Sequence, residues 1–81
     1  MIYLFIQNKS DCILFGENAV LYIDTSRAKN EICYCNENTL LTMAKYENKE
    51  DCQKVMEYFK KRLELGCRTF TFPSQGKAKQ L

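Results

Sequence analysis

The 81-residue chain is long enough for one hydrophobic core and too short for two. A 46% hydrophobic fraction with five Tyr and five Phe excludes disorder, and the lack of any His removes the commonest general base and a frequent metal ligand. The net charge of +2 is uneven, −2 over residues 1–47 and +4 over residues 48–81, which permits an anionic partner near the C-terminal third without demanding one.

In chain order, the opening apolar run ending at Ile6 is too short to span a bilayer. It has no basic residue before it and no small-residue cleavage site after it. It reads as a first strand, with a cytoplasmic location and no membrane association expected. Further short apolar runs follow. Ile2–Gln7, Cys12–Phe15, Ala19–Asp24, Glu31–Asn36 and Thr39–Tyr46 are separated by breaks rich in Asn, Asp and Gly, residues that tolerate the backbone of tight turns. This is the pattern of an antiparallel meander.

The period then changes. Asn48 is placed to cap a helix, and Glu50 and Asp51 sit in its first turn, where the dipole favours acids. Cys52, Val55, Met56, Phe59 and Leu63 form one apolar stripe at helical spacing. Gly66 suits the left-handed position that ends the helix, predicted over roughly residues 48–65. Cys67–Phe72 alternates again as a closing strand stopped by Pro73, and residues 74–81 read as a flexible basic tail. The expected fold is α+β: a small antiparallel sheet of five or six strands packed on one amphipathic helix. It forms a single domain over residues 1–73, with a core of Leu4, Ile6, Leu21, Ile23, Cys33, Leu41, Met43, Val55, Met56, Phe59 and Leu63.

One helix covers one face of a sheet, yet both faces of these strands carry apolar groups. Ile2, Leu4 and Ile6 oppose Tyr3 and Phe5; Ala19, Leu21 and Ile23 oppose Val20 and Tyr22; Ile32 and Tyr34 oppose Cys33 and Cys35. Three explanations compete: a tightly curled sheet, a second copy of the chain, or a stacking platform for a flat ligand. A homo-oligomer, with a dimer favoured, is the leading reading.

The chemistry-bearing motifs are weak. Cys33-x-Cys35 puts two thiols on one strand face about 7 Å apart, too far for a relaxed disulfide. Core packing is the simpler role, because a metal would need Cys12, Cys52 or Cys67 to converge as well. An odd count of five cysteines without export features points to reduced thiols. No base is arranged for a nucleophile, and no glycine-rich phosphate loop is present. The chain is therefore read as a non-enzyme with no cofactor, no catalytic residues and no metal site. Lys60-Lys61-Arg62 with Arg68, Lys77 and Lys79 form either a solvated helix end plus a tail or a phosphate-binding patch.

The residues Gln7-Asn8, Ala44-Lys45-Tyr46, Glu50 with Cys52 and Val55-Met56, and Phe70-x-Phe72-Pro73 carry a resemblance. The chain resembles a group of short proteins from AT-rich Gram-positive genomes and their phages, over most of residues 1–73. Cys52 stands where that pattern has Ala, and Phe72 where it has Met. The chain is also distantly similar to anti-Thoeris nucleotide-signal sponges. The resemblance implies a phage or prophage protein that works stoichiometrically, as an inhibitor or by sequestering a host protein or nucleotide signal. No binding residue is carried over. The alternative is a nucleotide or single-stranded nucleic-acid module, with Tyr3, Tyr22 and Tyr34 stacking and Lys61, Arg62 and Arg68 meeting phosphate.

Overall fold

The computed structural model describes residues 2–81; Met1, at the edge of the expected domain, lies outside them. The elements are β1 (Ile2–Phe5), β2 (Cys12–Phe15), β3 (Val20–Asp24), β4 (Glu31–Cys35), β5 (Leu40–Lys45), α1 (Lys49–Glu64), β6 (Thr69–Thr71) and α2 (Gln75–Ala78). Every strand lies within a run marked by its alternation. In α1, the Asn48 side chain accepts from the Asp51 N–H at 2.8 Å. At the other end Gly66 adopts φ +76°, its N–H donates to Leu63 and the Cys67 N–H donates to Arg62, satisfying two terminal carbonyls. No helix among the described residues is long and apolar enough to cross a membrane.

The architecture is α+β, but the single sheet resolves into two three-stranded sheets, β2-β1-β6 and β3-β4-β5. The second is antiparallel throughout, whereas in the first β6 returns parallel to β1. The physical reason is width. Six strands side by side would span about 29 Å at the usual strand spacing, against a helix about 10 Å across. Two narrower sheets share one helix, and with β1 paired on both sides β5 cannot join it by a ladder. Gln7 makes the junction instead. Its N–H donates to the Met43 carbonyl at 2.9 Å, and its Oε1 accepts from the Lys45 N–H at 2.9 Å. Its Nε2 donates to the carbonyls of Lys45 and Pro73, both at 3.1 Å. The Tyr46 hydroxyl also donates to Pro73 O at 2.7 Å, so the Gln-Asn, Lys-Tyr and Phe-x-Phe-Pro motifs meet at one point.

The core joins Ile2, Leu4, Ile32, Tyr34, Met43, Ala44, Tyr46, Cys52, Val55, Phe59, Phe70 and Phe72. Phe59 packs edge-on against Phe15 and Phe70, linking helix to both ends of the first sheet. Leu21, Ile23, Leu41, Ile6 and Met56 pack around it, partly buried. Two expected core residues fall elsewhere. Leu63, in the last turn of α1, is 41% exposed. Cys33 is buried but lies outside the cluster, on the opposite face of β4 from Ile32 and Tyr34. Within residues 74–81, α2 buries Ala78 against the core, and Gln75 bridges the Glu47 N–H and the Asp51 carboxylate, each at 2.6 Å.

Candidate functional site

The outward faces of the two sheets follow from register. On β3-β4-β5 the cross-strand rows are Val20, Cys35 and Leu40; Tyr22, Cys33 and Thr42; and Asp24, Glu31 and Lys45. This face runs from apolar to charged across three rows. Val20 is 56% and Leu40 66% exposed, with Tyr22 exposed beside them. An irregularity between Ile32 and Cys33 turns both Met43 and Ala44 inward and leaves Thr42 outward. On the first sheet the outward row is Leu14, Tyr3 and Thr69, also exposed. The surplus apolar surface read from the alternation is thus present on both outer faces.

The six sequence-predicted site residues do not converge. Tyr3 and Tyr22 are exposed on different sheets. Tyr34 points inward, 5% exposed, with its hydroxyl accepting from Asn36 Nδ2 at 2.9 Å, so it is unavailable for stacking. Arg68 borders a shallow depression with Ile2, Phe15 and Leu63. Lys61 and Arg62 do share a neighbour, Tyr58, which is not among the six. Lys61 lines one depression with Lys54, Tyr58 and Leu81, while Arg62 lines another with Tyr58, Thr69 and Thr71. The signal was available: residues 54, 58, 61 and 62 fall on one helix face. A third depression beside Tyr58 and Leu81 brings in Lys77, from the candidate basic patch, and Lys9, which no local pattern could join to the helix.

One potential metal-ligating group exists among the described residues. A carboxylate oxygen from each of Asp24 and Glu31 and the Cys33 thiol lie within 4.8 Å of one another. The carboxylates are engaged already. Asp24 accepts from the Ser26 N–H (2.9 Å) and hydroxyl (2.7 Å), which holds its carboxyl below the usual range, and Glu31 pairs with Lys45 at 3.6 Å. Burial pushes the Cys33 thiol up, and Glu31 and Asp24 push it further. Cys35, two residues on, is not part of the group. All five cysteines are unpaired thiols. No family model, curated protein or solved structure matches the chain.

Proposed function

We propose that this chain is a non-catalytic binding protein that self-associates through the outer face of β3-β4-β5. In this reading it acts stoichiometrically, as a phage-type inhibitor or sequestering factor. The observation that carries it is Val20 and Leu40 standing open to water on either side of Cys35, with Tyr22 in the next row, on a sheet whose other face packs on the core shared with α1. Contiguous exposed apolar groups of this kind mark contact surfaces. A two-fold contact would pair the same patch on both copies.

Light scattering coupled to size exclusion tests the reading. The wild type should run as a dimer or larger, and Leu40→Lys and Val20→Lys should each shift it toward monomer with the circular dichroism spectrum unchanged. A wild type that stays monomeric at every concentration tested would sink it. Capture from host lysate, followed by mass spectrometry of both proteins and small molecules, then asks what the assembly holds. The stacking arrangement of Tyr3, Tyr22 and Tyr34 draws no support, because Tyr34 is buried and the other two are on separate sheets.

A further inference from the structure

Tyr58 sits where three surface depressions meet, and five cationic side chains line them: Lys54 and Lys61, Lys9 and Lys77, and Arg62. None of the five is in an ion pair; among the described residues the ion pairs are Lys45–Glu31 and Lys79–Glu47. The two larger depressions, of 640 and 480 Å³, share Tyr58 and Leu81. Each falls within the size range of small-ligand sites, about 300–1,000 Å³. They differ in chemistry. The Lys9/Lys77 side holds no acidic residue and adds the Ser10, Thr71 and Ser74 hydroxyls, a donor-rich setting for phosphate oxygens. The Lys54/Lys61 side carries Gln53, Glu50 and Glu57, which can pair with the amino and ring-nitrogen edge of a base. Between them the half-buried Tyr58 ring, braced on Phe70 at 5.6 Å, offers an apolar wall with Leu81.

We infer that this cleft binds a nucleoside di- or triphosphate, with the phosphates between Lys9 and Lys77 and the base against Tyr58. A nucleic-acid strand is disfavoured because Glu50 and Glu57 interrupt the continuous basic groove that tracking a backbone needs. The inference does not depend on self-association, since the cleft lies on α1 and the chain segments beside it, away from the outer face of β3-β4-β5.

Calorimetric titration with ATP at about 50 and 200 mM salt tests it. Saturable binding that weakens with salt is expected. Adenosine and inorganic triphosphate should each bind at least about tenfold more weakly, since each lacks one half of the recognition. The double variant Lys9→Gln/Lys77→Gln should lose at least about tenfold in affinity. Lys49→Gln, outside all three depressions, should match the wild type. Tyr58→Leu removes the stacking ring, and should it fail to fold, the lysine pair still decides. Repeating the titration on Leu40→Lys separates the cleft from the oligomer. Absence of ATP binding at low salt, or an undiminished affinity in the double lysine variant, would overturn the inference. So would a short oligodeoxythymidine that binds more tightly than ATP.

Discussion

Replacing Gln7 with Ala removes three side-chain hydrogen bonds at the junction of the two sheets, to Lys45 N–H, Lys45 C=O and Pro73 C=O. Each such bond contributes about 0.5–1.5 kcal/mol net when its partners are shielded from water. Here the two Lys45 bonds are open to solvent, so water replaces part of what is lost, and Pro73 O keeps its bond from the Tyr46 hydroxyl. The cost should therefore be about 1–3 kcal/mol. At about 4–8 °C per kcal/mol for a domain this size, that lowers Tm by about 4–24 °C. Urea denaturation measures the free energy, and amide exchange locates it: Lys45 should lose protection while the β3–β4 ladder keeps its own. Gln7→Glu keeps the acceptor but sets a carboxylate against two carbonyls, and should be at least as destabilising at neutral pH. Gln53→Ala, on an exposed helix position, is the control. Gln7→Ala within about 0.5 kcal/mol of wild type, with Lys45 still protected, would refute the idea that this amide holds the sheets together.

Gln75→Ala should destabilise by about 1–3 kcal/mol, because it strips the partner from Asp51, a carboxylate only 4% exposed; urea melts measure this, and an unchanged midpoint would mean that α2 is not docked. With a disulfide reagent at neutral pH, exposed Cys12 should react first. Buried Cys33 and Cys52, whose thiols are pushed up chiefly by desolvation, should react only on the timescale of opening, as cysteine-by-cysteine mass mapping would show. The Tyr46 hydroxyl is raised above its ordinary value of 10.0, mainly by burial. The folded state thus holds that proton more tightly than the unfolded chain. Its contribution is complete below pH 10 and is lost as pH climbs above it. Stability followed by denaturant titration should fall more steeply above pH 10 in the wild type than in Tyr46→Phe; equal slopes would count against the assignment.

How much was legible in the sequence depended on how local the cause was. The span of α1 follows from Asn48, the acidic first turn and Gly66, each acting within one turn of the chain, and the structure bears these out. The strand spans follow from two-residue alternation in the same way. The surplus of apolar groups on both strand faces could also be read directly, because it needs only a count of which side chains share a face.

Alternation cannot say which of two apolar faces meets the helix. For β3 and β5 the expected inward set, Leu21, Ile23, Leu41 and Met43, agrees with the structure. On β4 the sequence points Cys33 inward, whereas the structure turns Ile32 and Tyr34 there. That reversal removed Tyr34 from the proposed stacking surface. Strand partners were equally hidden. The parallel return of β6 beside β1, the division into two sheets and the docking of Gln75 on Asp51 all join residues far apart in the chain. The tyrosine-centred cleft is divided between the two kinds of information: the helix period alone aligns Lys54, Tyr58, Lys61 and Arg62. Lys9 and Lys77 arrive there only because the β1–β2 turn and the segment after Pro73 fold against the same side of α1. Short-range hydrogen bonding and side-chain period are written residue by residue, whereas such meetings are fixed by the packing of the whole core.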